Sequence, residues 1–315
     1  MRIVFLGTPE FAVPSLEALI REGHDVVAAF TQPDRPKGRG KKMEYCPVKA
    51  CAVSHDIPVY QPAKIRLESV EDLKSLAPDL CVTAAFGQIL SQEILDIPKY
   101  GTVNVHSSLL PQYRGSSPVH WAILCGEKVT GVTTMMTDKG MDTGDILLQK
   151  EVEILPRETT GELTERLSVI GAELLVETIR LLEKGQCPRR PQDHEKMSYY
   201  PMLRKEMGLI NWEKSAEEIC WAIRGLSPWP GTYTFINGEM LKIWAGDADE
   251  CAGGQPGDIL EADAKKGLLI CTGKGALRVT ELQAQGGKRM KPQDYLRGHP
   301  ISAKACDKKE EESNE

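Results

Sequence analysis

Residues 2–6 (RIVFL) form a short β-branched run that stops at Gly7-Thr8-Pro9, and residues 11–21 follow with apolar positions at helical spacing before Gly23. This strand, turn and helix unit recurs. Strand-like runs appear at 25–31, 79–85, 101–106 and 130–136, with helical stretches at 47–55, 68–76, 91–96 and 117–125 between them. The strands are apolar on both faces, as in a sheet covered by helices on either side, so the alternation predicts an α/β domain built on a mostly parallel, Rossmann-like sheet. A long amphipathic helix over 159–184, stopped by Gly185, closes this region.

The texture then changes. Residues 186–206 carry three prolines and many charges with little periodicity, which predicts an exposed linker. One more helix is expected over 210–224. Beyond it, short strands at 231–236, 240–245, 257–261, 267–272 and 276–282, separated by Gly, Pro and Asn, predict a small C-terminal β-barrel of OB-like type. A chain of 315 residues suits two domains. The expected boundaries are 1–187 for the α/β domain, 188–206 for the linker, 207–306 for the barrel and 307–315 for a disordered tail.

Charge and cysteines narrow the class. With 39 basic and 45 acidic residues the net charge is −6, and neither half of the chain is basic, so non-specific coating of nucleic acid is disfavoured while a local basic patch is not. The nine cysteines are odd in number and contain no C-x-x-C, which suits free thiols in a reducing cytoplasm rather than a zinc site. No apolar run is long enough for a signal core or a membrane span, and the expectation is a cytoplasmic protein without membrane contact.

The opening FLGTPEF ends a strand in glycine before a helix, but it lacks G-x-G-x-x-G, and a tight β–α turn explains it. The informative segment is GTVNVHSSLLPQYRGSSP (101–118). On a strand of period two, Asn104 and His106 point to the same face near the strand's C-terminal end, where open α/β sheets bind ligands. Downstream, DKGMDTGDIL (138–147) is a glycine-containing acidic loop, and Asp142 meets His106 if the two loops share one sheet edge. No G-x-S-x-G elbow surrounds Ser107 or Ser108, and the spacing of Asp138, Asp142 and Asp145 is not that of a calcium loop, so no metal is expected.

HSSLLPQYRG followed by DKGMDTGDIL resembles the signature of the 10-formyltetrahydrofolate-dependent formyltransferases. The resemblance extends through FLGTPEFAVPSLEAL (5–19), TQPDRPKGRGKK (31–42) and AFGQIL (85–90), and continues past the linker. It implies that Asn104, His106 and Asp142 are the catalytic trio, and that Ser108, Leu109, Leu110, Pro111, Phe86, Gln88 and Leu90 belong to the folate pocket. The implied chemistry is formyl transfer from folate N10 to a primary amine through a tetrahedral oxyanion. Asn104 and His106 would bind that oxyanion, and Asp142 would orient and charge His106 and help move a proton.

Family members differ in their acceptor. Here 33–42 (PDRPKGRGKK) places Arg35, Lys37, Arg39, Lys41 and Lys42 against the single acid Asp34 in a Gly/Pro-rich loop, which suits a phosphate backbone. This loop resembles the tRNA-specific branch and implies methionyl initiator tRNA as the partner; a monomer is a separate expectation. Arg39, Lys41 and Lys42 are the candidates nearest the acceptor end. Lys288 and Arg289, with Arg189, Arg190, Arg204, Lys205 and Lys291, are candidates for contacts further along.

Overall fold

The computed structural model describes residues 1–37, 42–250 and 253–307. The chain separates into two compact units: one comprises Met1–Pro118, Val129–Glu153 and Leu163–Pro201, the other Val119–Lys128, Ile154–Glu162 and the chain from Met202 onward.

The first unit is built on β1 (Arg2–Gly7), α1 (Val13–Arg21), β2 (Asp25–Phe30), β3 (Arg35–Lys37), β4 (Lys42–Glu44), α2 (Pro47–Ser54), β5 (Val59–Tyr60), α3 (Ile65–Glu68), α4 (Val70–Leu76), β6 (Leu80–Ala84), α5 (Gln92–Leu95) and β7 (Thr102–His106). The helix α6 (Pro118–Leu124) follows, then β8 (Val129–Met136), β9 (Ile146–Glu153) and the long helix α7 (Thr160–Glu183). Seven strands form one sheet in the order β5-β2-β1-β6-β7-β8-β9. Pairing is parallel from β5 to β7 and antiparallel from β7 to β9. Ile3, Val4, Phe5 and Leu6 of β1 are all fully buried, as a central parallel strand covered on both faces requires. The strand order reverses between β1 and β6, so the C-terminal ends of β1, β6 and β7 border the crevice where such sheets bind ligands.

The second unit contains α8 (Ala216–Gly225), β10 (Thr232–Ile236), β11 (Glu239–Asp249), β12 (Ile259–Asp263), β13 (Gly267–Cys271), β14 (Ala276–Ala284) and α9 (Pro292–Gly298). Its strands form an antiparallel sheet in the order β10-β11-β14-β13-β12. Ile219 and Ile223 of α8 pack on Ile243, Leu268, Ile270 and Leu277. The edge strands do not pair with each other among the described residues; the segment 304–307 bridges them instead. Ile259 N donates to Lys304 O at 2.8 Å, and Asp307 N donates to Phe235 O at 2.9 Å.

Several local expectations change. The helix expected from Ile210 begins at Ala216 because Ser215 caps it: the Ser215 hydroxyl accepts from Glu218 N, and the Glu218 carboxylate accepts from Ser215 N at 2.9 Å. Asp307, expected to open a disordered tail, is held by the N–H groups of Asn237 and Gly238. The basic loop is carried by a short hairpin, β3 paired with β4. The segment expected to be an exposed linker is in part a packed strap, with Gln192 and Leu203 buried.

Candidate active site

Asn104 and His106 lie on β7, two residues apart and therefore on one face. The neighbouring strand contacts the first of them. The Thr83 hydroxyl, at the end of β6 and opposite Asn104 in the register, donates to Asn104 Oδ1 at 2.8 Å. With its oxygen turned to Thr83, the amide has Nδ2 and its two donors at the opposite end.

His106 is fixed by the loop that follows it. Its Nε2 is 3.1 Å from the carbonyl oxygen of Tyr113, and a carbonyl can only accept, so Nε2 carries the proton. Nδ1 is left facing Asp142, whose Oδ1 lies 3.6 Å away. That is ion-pair range for a protonated ring and too long for a direct hydrogen bond. Both groups are largely enclosed, with side chains 7% and 18% exposed.

Asp142 sits in the left-handed region at φ 54°, as does Tyr113 at φ 57°; these turns aim the carboxylate and the carbonyl at the same imidazole. The second carboxylate oxygen, Oδ2, accepts from Gly115 N at 2.9 Å. Asp138, three residues before Met141, does a different job: its Oδ1 accepts from Gly140 N and the Thr143 hydroxyl and so shapes the loop. Gly144 is required where the loop turns back, because a Cβ there would fall 1.9 Å from Met136 O.

The loop after His106 is fastened to β8 and β9. Ser108 is fully buried and donates to Gln112 O at 2.7 Å, so its hydroxyl is spent on the turn. Leu110 N donates to the Thr133 hydroxyl, and Gln149 Nε2 donates to Leu110 O. Leu109, Leu110 and Pro111 line an open cavity of about 540 Å³ with Gln149, Glu151, Arg190 and Lys196. At the end of β6 the chain turns through Ala85 and Gly87, both at positive φ. Phe86 and Leu90 point into the core, and Gln88 ties the turn to its neighbours, accepting from Ile65 N and donating to Pro62 O.

The sequence brought the trio into view but not the groups that hold it. Thr83 and Gln192 carry no motif of their own, and Tyr113, Arg114 and Gly115 close the HSSLLPQYRG segment without showing what they hold. Of the cationic candidates, Arg39 and Lys41 lie outside the described residues, and Lys42 opens β4. At the base of that hairpin, Lys49 pairs with Asp34 and donates to Gln61 Oε1 at 2.6 Å. The hydrogen bonds from Lys49 and Gln61 hold the Asp34 carboxyl below its ordinary range, and the one acid of the loop is thereby neutralised by a lysine outside it. In the second unit Lys288 is exposed, and the Arg289 guanidinium stacks 3.6 Å from the Trp244 ring centre.

Comparison with known proteins bears on the whole chain. A formyl transferase family model matches residues 1–179, and a model of the formyl transferase C-terminal domain matches residues 202–300. A methionyl-tRNA formyltransferase of Ruminiclostridium cellulolyticum is 50% identical over 305 residues, 96% of this chain and 97% of the relative. The chain belongs to the methionyl-tRNA formyltransferase family. A second member, from Acetivibrio thermocellus, is 50% identical over 96% of this enzyme and 97% of its own length. Among solved structures, an N-formyltransferase of Helicobacter canadensis, in complex with folinic acid and dTDP-3-aminofucose, shares the fold. Its TM-score is 0.68 at 22% identity, covering 92% of this enzyme and all of that chain. HypX of Aquifex aeolicus is similar at a TM-score of 0.63 and 19% identity over 97% of this enzyme, which spans about half (48%) of HypX. No helix among the described residues is long and apolar enough to cross a membrane.

Proposed function

We propose that this enzyme transfers the formyl group of 10-formyltetrahydrofolate to the α-amino group of methionyl initiator tRNA, with Asn104, His106 and Asp142 as the reacting groups. The observation that carries the assignment is the approach of Asp142 Oδ1 to within 3.6 Å of His106 Nδ1, on the β7 face that His106 shares with Asn104.

Asn104 donates through Nδ2 to the formyl oxygen as negative charge builds there. His106 donates to the same oxygen through Nδ1. Because Nε2 is already protonated, a donor at Nδ1 requires the imidazolium form, whose charge the Asp142 carboxylate balances. Asp142 Oδ1, directly or through water, takes the proton from the attacking amine and returns it to the leaving folate nitrogen, while Oδ2 stays anchored on Gly115 N. No nucleophilic serine is required, in keeping with Ser108 being committed to its own turn.

The 108–111 loop and the 85–90 turn are the segments proposed to hold the folate, the cavity beside Leu109 and Pro111 supporting the first of these. Arg39, Lys41, Lys42, Lys288 and Arg289 are proposed to meet the tRNA backbone. The catalytic assignment is tested by Asn104→Ala: loss of one oxyanion donor is expected to lower kcat by ~10²–10³. A kcat near that of the parent enzyme would remove Asn104 from the mechanism.

A further inference from the structure

The strap over residues 190–201 reaches the site through one buried side chain. Gln192 is 6% exposed and every polar position on its amide is used. Its Oε1 accepts from Arg114 Nε at 3.1 Å and Nη2 at 2.6 Å. A guanidinium only donates, so the amide can face Arg114 in one sense alone, with the oxygen toward it. Nε2 therefore faces the acidic loop, where it donates to Asp142 O at 2.9 Å and Gly144 O at 2.8 Å. Arg114, itself 6% exposed, spends further donors on His194 Nδ1 at 3.3 and 3.4 Å.

The stretch 113–115 gathers these contacts. Tyr113 O accepts from His106 Nε2, Gly115 N donates to the Asp142 carboxylate, and the Arg114 side chain orients Gln192. The strap in turn holds that stretch, the Ser198 hydroxyl accepting from Tyr113 N at 2.8 Å and Ser198 O accepting from Arg114 N at 2.9 Å. Asp142 is thus gripped twice, by its carboxylate from Gly115 and by its backbone from Gln192, in a left-handed turn conformation at φ 54°.

We infer that Gln192, oriented by Arg114, is a positioning residue that sets Asp142 against His106 Nδ1, and that the strap is thereby a working part of the catalytic centre. The inference rests on the reading of Asp142 as a reacting group.

Gln192→Glu separates positioning from folding. The carboxylate keeps an acceptor for Arg114, so the buried guanidinium stays paired, while both donors to the acidic loop are replaced by an oxygen facing carbonyls. The expected result is a folded protein whose kcat falls about 10- to 100-fold, as for a reacting group displaced by a fraction of an ångström to an ångström, with KM for the formyl donor and for methionyl-tRNA changed less than about threefold. Gln192→Met, similar in length and without hydrogen bonds, is expected to give the same kcat-selective loss. In an Asp142→Asn background, adding Gln192→Glu is expected to slow the enzyme no further. Three outcomes overturn the positioning role alone: parental kcat in Gln192→Glu, a loss confined to KM, or losses that multiply in the double variant. An Asp142→Asn enzyme as fast as the parent overturns the catalytic reading of Asp142 itself, and the inference with it.

Discussion

A primary amide presents an oxygen at one end and a nitrogen at the other, and Asn104 turns its oxygen toward a neighbouring hydroxyl. Thr83 donates to Oδ1, so Nδ2 is the end on offer. Thr83→Val keeps the shape and removes that donor. We expect kcat to fall about tenfold, of the order of one lost hydrogen bond, while Thr83→Ser restores it, as read in steady-state rates. The shared face of Asn104 and His106 was legible in the sequence because a period-two strand sets it without further information, while their grouping with Asp142 came from the resemblance of HSSLLPQYRG and DKGMDTGDIL to the formyltransferases. Thr83 and Gln192 were not legible as supporting groups, since their contacts join residues far apart in the chain. Gln192 lies 50 residues from Asp142 and 78 from Arg114, in a proline-rich stretch whose composition is that of a linker.

Elements were legible where periodicity is strong, as in β1, β6, β7 and α7, and not where pairing at an edge decides. β9 ends in QKEVE, a charged stretch where no strand is expected and which pairing with β8 makes one. The β3–β4 hairpin consists of two three-residue strands inside a Gly/Pro-rich basic run, too short for a pattern to register. α6 has a property of its own that only the structure reveals: burial pushes the His120 imidazole down to about 4. In the unfolded chain the same group titrates near 6.5, so the unfolded state binds the extra proton between these values. His120 is therefore expected to contribute its full share of stability above pH 6.5 and to lose it as the pH falls toward 4, the loss being about 3 kcal/mol at most. Urea midpoints measured across that window are expected to fall less steeply with acid for His120→Gln than for the parent. Parallel curves would show that the burial of His120 does not matter to acid stability.

For the whole molecule, the excess of acid over base is compatible with a polyanionic partner because the cations are concentrated on the 35–42 segment and around Lys288 and Arg289. Binding of methionyl initiator tRNA is accordingly expected to weaken steeply with salt, and Arg39→Ala and Lys42→Ala each to lower the log–log slope by about one. Unchanged affinity and slope in both variants would take the basic segment out of the interface. The most direct measurement supplies the purified enzyme with formyl-labelled 10-formyltetrahydrofolate and either methionyl initiator or methionyl elongator tRNA, and follows label onto the amino acid. Rapid transfer to the initiator and little to the elongator is the expected result. Consumption of the folate with no label on either tRNA would contradict it, leaving the Asn104, His106 and Asp142 chemistry to act on a small amine or on water.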